Sequence, residues 1–188
     1  MREIARRGSG SRRKILDAAA ELVGEIGAGR LTLDAVADRA GLSKGGLLYS
    51  FPSKDALLQG MIERMIEEGM AQHDSLRAGL KGKPNLEARV SIGAALTCRT
   101  GKSHDVANGL LAALSENPKL LDPVRQVIAE QWRAMKDSSD DLDAALVAWL
   151  AIEGLGSLEM HGISPADEAD RARVVAAVTR LLDRGIAG

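Results

Sequence analysis

The chain has 188 residues, of which 45% are apolar but only 2% aromatic, so its core has to be built from aliphatic side chains, alanine and methionine. One cysteine, Cys98, excludes an intrachain disulfide and a multi-cysteine metal site. The net charge of −1 by itself says nothing about a polyanionic partner, but residues 1–60 carry ten Lys/Arg against seven Asp/Glu while the remainder is net acidic, a division that suits a nucleic-acid-binding head on a body that DNA repels.

Alanine, leucine, glutamate and arginine favour helices, and strand-forming Tyr, Phe and Thr are scarce, so the expected fold class is all-α with about nine helices. Residues 1–10 contain three arginines and two glycines without periodicity and read as a flexible basic arm. A first helix is expected from Ser11, with Ile15, Ala19, Leu22 and Ile26 on one face and Gly27 as its stop. Thr32 caps a second helix, about Leu33 to Ala40; Ser43 caps a short third, ending near Ser50 ahead of Pro52. Ser53 caps a long fourth, in which Leu58, Ile62, Met65, Ile66, His73 and Leu76 share a face. The clearest punctuation is GLKGKPN at 79–85. Further helices are expected at about Leu86–Arg99, His104–Ser115, Asn117–Lys136, Leu142–Met160 and Ala166–Arg184.

The stretch LDAVADRAGLSKGGLLYSFPSK has the pattern of a helix-turn-helix. Close packing of two helices needs a small residue in the first, a residue tolerating positive φ in the turn, and an apolar residue in the second. Ala37, Gly41 and Leu47 meet those needs at the right spacing, with Val36, Leu42 and Leu48 expected to add burial.

From Arg13 to Leu58, about a quarter of the chain, the sequence resembles the DNA-binding domain of the TetR/AcrR family of bacterial repressors. The matching residues are RRKILDAAAELVGEIG, TLDAVADRAGLSKGGLLYSF and PSKDALL. The resemblance implies a DNA-binding domain over residues 11–58 and a helical ligand-binding and dimerisation domain over 59–188. It further implies a repressor that binds a palindromic double-stranded operator as a homodimer and is released by a small-molecule effector. Ser43, Lys44 and Gly45 open the third helix, where amides and the helix dipole attract phosphate. Lys44 has the reach for a guanine edge or a phosphate, and Gly45 and Gly46 permit close approach without reading bases. Thr32 and Lys54 resemble family positions that grip the backbone, Ser50 ends the recognition helix, and Arg12 and Arg13 are expected to reach an adjacent groove. Two residues depart from the common family pattern: Gly46 stands where a threonine is frequent, and Leu48 where a tyrosine is usual, so the phosphate contact is transferred to Tyr49.

In the body, the only charge between Asp143 and Glu159 is Glu153, and the helix containing it is apolar on both faces. A dimer interface is expected from Ala144, Val147, Ala148, Ala151 and Leu155, joined by Val174, Val178 and Leu181 of the last helix. The family pattern implies an effector pocket, with Met65, Leu96, Leu111 and Leu114 as lining candidates beside Trp132, Met135 and Trp149. Glu153 is a further candidate, since a lone carboxylate in an apolar helix needs a partner: a cationic ligand group, a cross-dimer group or solvent. His73 is expected to be a core histidine and Cys98 a small buried filler.

Catalysis is disfavoured. Gly41–Gly45 matches G-x-S-x-G but joins two helices rather than following a strand, Ser11–Lys14 matches S-x-x-K by accident, and the three histidines lack metal-ligand spacing. No cofactor or metal is expected. The basic start lacks an apolar core and the longest apolar stretch, Ala144 to Ile152, is nine residues, so a cytoplasmic protein without a membrane partner is expected. An architectural or partner-regulated DNA-binding protein without an effector is the alternative.

Overall fold

Local polar caps cut this chain into helices. The computed structural model describes residues 2–98 and 102–186, with the side chains of 2–9, 98, 102–104, 111, 112, 114 and 115 outside that description. Among the described residues there are nine α-helices and no strand: α1 (Arg2–Ile26), α2 (Leu33–Ala40), α3 (Lys44–Ser50), α4 (Lys54–Gly79), α5 (Leu86–Cys98), α6 (Lys102–Glu116), α7 (Asp122–Ser138), α8 (Leu142–Met160) and α9 (Glu168–Arg184). Thr32, Ser43 and Ser53 each accept a hydrogen bond from a backbone N–H three residues on, at 3.1–3.2 Å, as do Asp141 and Asp167 at 2.9 and 2.8 Å. These bonds satisfy donors that a helix start leaves open.

Several boundaries differ from expectation. Helix α1 starts at Arg2 rather than Ser11, so residues assigned to a flexible arm continue the helix. Residues 2–7 are good helix formers with no proline, and Gly8 and Gly10 weaken a helix by only about 1 kcal/mol each. Pro118–Leu121 forms a separate 3₁₀ turn before α7, and α9 begins at Glu168, capped by Asp167, rather than at about Ala166. Among the described residues no helix is long and apolar enough to cross a membrane.

The helices form two compact units that do not follow the linear division at residue 58. One comprises the chain up to Ile66 together with the stretch ending at Arg125; the other comprises Glu67 through α5, and Gln126 onward. In the first unit, α1 packs on α2, α3 and α6. Its core combines Ile15, Ala19, Leu22 and Val23 with Leu47, Phe51, Leu57 and Leu58, and draws in Val106 and Leu110 of α6. Helix α6 joins this core because Gly109 lets it cross α1 closely: a Cβ there would lie 2.5 Å from the Val23 carbonyl oxygen. Ile26, expected on the buried face, is 37% exposed.

In the second unit α8 packs on α5 and α9. The core is Ala88, Ile92, Met135, Ala145, Ala148, Ile152, Val178 and Leu182, with Trp132 and Trp149 edge-to-face at 5.3 Å beside it. Asn85 is a buried polar hub, held at φ 53°. Its Nδ2 donates to Leu182 O at 3.1 Å, its Oδ1 accepts from Asp141 N at 2.9 Å, and its own N–H donates to Asp140 Oδ2 at 2.8 Å. One side chain thereby fastens the turn before α5, the turn before α8 and the end of α9.

Candidate nucleic-acid interface

The geometry of α2 and α3 follows from three residues. Gly41 closes α2 in the left-handed region at φ 67°, ψ 37°, where a Cβ is unfavourable, and Leu42 N then donates to Ala37 O at 3.0 Å. Ala37 is 2% exposed and Leu47 fully buried, so the turn of α3 that faces the core is anchored. What faces outward is correspondingly fixed. Tyr49 is 92% exposed, far from the core position that its neighbour Phe51 occupies. Leu48, expected to add burial, is instead exposed at 37%, because it follows the fully buried Leu47 by one residue and so turns outward. Gly45 has open space around it, and a Cβ on Gly46 would meet Ser43 Oγ at 3.3 Å. Ser50 is half-buried.

The cations are less free than their sequence positions suggest. Lys44 Nζ lies 2.8 and 3.0 Å from the two carboxylate oxygens of Asp34 in the first turn of α2. Lys54 Nζ donates to the Gly29 carbonyl at 2.9 Å, tying the start of α4 to the 3₁₀ turn Ala28–Arg30. Arg12 does not extend from an arm: its guanidinium stacks over Phe51 at 5.0 Å and meets Glu63 at 3.5 Å. Arg39 bridges Glu21 and Glu25 of α1 at 3.0–3.3 Å, and these bonds raise its pKa and lower that of Glu25. Arg13, Lys14 and Arg30 are exposed and form no ion pair or hydrogen bond among the described residues. Arg30, two residues before the Thr32 cap, was not singled out by sequence because it belongs to no periodic or capping pattern.

The second unit holds a cavity of about 180 Å³ lined by Met70, His73, Asp74 and Arg77 of α4, Glu87 of α5, and Val127, Glu130, Gln131 and Ala134 of α7. Arg77 donates twice to Glu87, at 3.0 and 2.7 Å, and once to Asp74 at 3.2 Å. The bond to Arg77 holds the Glu87 carboxyl below its ordinary pKa and the reciprocal bond raises Arg77. Burial, then the Arg77 charge, holds His73 below its ordinary value, and its Nε2 lies 3.3 Å from Gln131 Nε2. His73, expected in the core, is thus part of a cavity wall.

The candidate lining residues are not gathered there. Met65 packs on the first core, whereas Met135, Leu96, Trp132 and Trp149 belong to or pack on the second, since aliphatic side chains serve core and pocket equally. Glu153 is exposed on α8; the side chains of Leu111, Leu114 and Cys98 lie outside the described residues. The interface candidates divide by burial. Ala144, Ala148, Leu155 and Val178 face the chain's own core, because α8 packs against α5 and α9, and Val174 and Leu181 are half-buried. Val147 and Ala151 are exposed, and with Leu150, Gly154 and Leu158 they form a continuous apolar stripe along α8.

Residues 15–61 match the family model for bacterial regulatory proteins of the tetR family, and residues 87–183 that for a tetracyclin repressor-like C-terminal domain. Over 84 residues the chain is 32% identical to the HTH-type transcriptional repressor KstR2 of Rhodococcus jostii (strain RHA1), a stretch covering 44% of this chain and 41% of that protein. The fold is similar to that of a TetR-family member from Streptomyces coelicolor A3, with a TM-score of 0.68 and 23% identity over 92% of this chain and 98% of the other. It is also similar to that of the multidrug binding protein EbrR complexed with imidazole, with a TM-score of 0.64 and 24% identity over 94% and 92% of the two chains. With a helix-turn-helix of the required geometry, and with the C-terminal match alone spanning more than half of its length, this chain belongs to the TetR family of bacterial transcription regulators.

Proposed function

We propose that this regulator represses transcription by binding a palindromic operator as a homodimer, and that a small molecule held by the C-terminal unit releases it. The observation that carries the DNA-binding part is the division of α3: Leu47 fully buried against Ala37 and Val36, and Tyr49 92% exposed one half-turn away. An aromatic projecting from a rigidly anchored short helix, one turn after Gly45 and Gly46, suits insertion into a major groove, where the phenol meets a phosphate or a thymine methyl. Thr32, Lys54 and Arg30 would grip the flanking backbone, with Lys54 acting partly by fixing the Gly29–Arg30 segment.

Dimerisation rests on α8. A stripe of Val147, Leu150, Ala151, Gly154 and Leu158 is apolar, continuous and unclaimed by this chain's own core, and the absence of a side chain at Gly154 permits close helix approach. A second copy of the same helix, related by a two-fold axis, covers it most simply. One recognition helix reads only a few base pairs, and a two-fold dimer placing two of them about 34–36 Å apart reads successive major grooves. For the effector, the cavity lined by His73 offers apolar contact from Met70 and Val127 and hydrogen bonding from Gln131 and the His73 imidazole.

Sedimentation and operator titration of Ala151→Arg test the central claim. Because Ala151 is exposed in the single chain, the variant folds, but association would bury an unpaired charge at a cost on the order of several kcal/mol. A folded monomer that loses specific operator binding is the expected result; a folded monomer with full operator affinity would refute the dimer reading. Thermal-shift screening of candidate effectors, paired with measurement of DNA release, distinguishes an effector-controlled repressor from one that senses no small molecule.

A further inference from the structure

Lys44 is the only charged side chain on α3, and its ammonium is engaged by both oxygens of the Asp34 carboxylate. The leading end of the recognition helix therefore presents an ion pair of zero net charge rather than a cation. The remainder of the helix, Gly45, Gly46, Leu47, Leu48, Tyr49 and Ser50, carries no formal charge to compensate. Both partners are largely exposed, with side-chain accessibilities of 61% for Lys44 and 65% for Asp34, so the pair is readily separated by a competing anion.

We propose that Asp34 sets the DNA affinity of this regulator by competing with backbone phosphate for the Lys44 ammonium. The inference rests on the reading of α3 as the DNA-recognition helix. Two anions seek one ammonium, and it satisfies one at a time. When α3 approaches a duplex, Lys44 exchanges the carboxylate for a phosphate, and the carboxylate left behind lies close to a polyanion that repels it. Both effects oppose binding on every sequence, because the phosphate backbone is the same everywhere. The thymine-methyl contact proposed for Tyr49, which depends on sequence, is untouched. Asp34 thus lowers non-specific affinity and leaves the ratio between operator and other DNA to the uncharged part of the helix.

The probe is a labelled duplex of arbitrary mixed sequence, titrated at several salt concentrations against wild type, Asp34→Asn, Lys44→Met and the double variant. Asp34→Asn is expected to tighten binding about two- to five-fold at low salt, the range open to an exposed ion pair. Lys44→Met is expected to weaken it. In the Lys44→Met background the Asp34→Asn gain should shrink markedly, since no ammonium remains to be released. Asp34→Ser, with thermal melts of each variant, guards against a loss of α2 that would mask the gain. Two results overturn the inference: weaker or unchanged binding by a folded Asp34→Asn, which would make Asp34 a residue that orients Lys44 toward DNA, or an equal gain in both backgrounds, which would reduce its role to bulk charge. Failure of wild type to bind any duplex would instead remove the DNA-binding reading itself, and this inference with it.

Discussion

The two units of this chain hold their helices together by different means. The head relies on steric closeness: glycines admit a neighbouring helix or ring, as Gly109 does at the α1–α6 crossing and Gly60 does under Phe51, where a Cβ would sit 2.6 Å from the ring. Its core is rich in large aliphatic side chains and one aromatic. The body has an alanine-rich core and adds a polar fastening, with Asn85 tying its own turn to two other chain segments. Steric precision suits the role proposed for this unit, which is to present Tyr49 at a fixed angle. A polar hub near one end of α5, α8 and α9 fastens those helices while leaving the outer stripe of α8 free of its own chain. Neither device follows from hydrophobicity, and each is exposed to a different kind of substitution.

Removing the hub should have the largest effect. Asn85→Ala deletes one buried and one partly buried hydrogen bond, leaves the Leu182 carbonyl and the Asp141 N–H without that partner, and puts at φ 53° an alanine, which tolerates the left-handed region less well than asparagine, for an expected loss of about 2–4 kcal/mol. Asn85→Gly relieves the backbone but not the bonds, so denaturant unfolding of the two variants separates the contributions. If both unfold like wild type, the body does not depend on this residue.

The head should break at its crossing. Gly109→Ala forces a Cβ to within 2.5 Å of the Val23 oxygen, and the backbone has to shift; overpacking of this kind costs about 1–3 kcal/mol. Gly69→Ala, on α4 with open space around it, is the matched control, and should stabilise by up to about 1 kcal/mol through helix propensity alone. Opposite signs in thermal melts support the steric account, whereas equal shifts argue against it.

The smallest expected effect is a pH dependence carried in the body by Asp141. Hydrogen bonds from the backbone of Ala144 and Ile186 hold the Asp141 carboxyl below its ordinary pKa. A depressed carboxylate contributes stability that is present above its unfolded value and lost as pH falls through the folded one. The melting temperature should therefore decline as the pH drops below the usual carboxylate range, and decline less in Asp141→Asn. Glu87 and His73, both also held below their ordinary values, add acid sensitivity of the same sign. A melting temperature that rises on acidification would contradict this.

Local chemistry accounts for what was legible in the sequence. The bounds of α2, α3 and α8 are those expected, because Thr32, Ser43 and Asp141 cap within three residues and Gly41 or the Pro52 that follows stops the chain close by. The helix-turn-helix was legible for the same reason: Ala37, Gly41 and Leu47 act on one another within ten residues. Where the local signals against a helix are weak, as with Gly8 and Gly10 in residues 2–10, its start was not legible. Tertiary structure alone decided which helices share a core, which arc of α8 remains outward, and what Lys44 and Lys54 touch. Gly109 and Val23 are 86 positions apart, and Asn85 and Leu182 are 97. A helix that is apolar on every side, as α8 is, has no periodic bias to reveal its inward face. Only the packing of α5 and α9 against Ala144, Ala148 and Ile152 turns Val147 and Leu150 toward solvent.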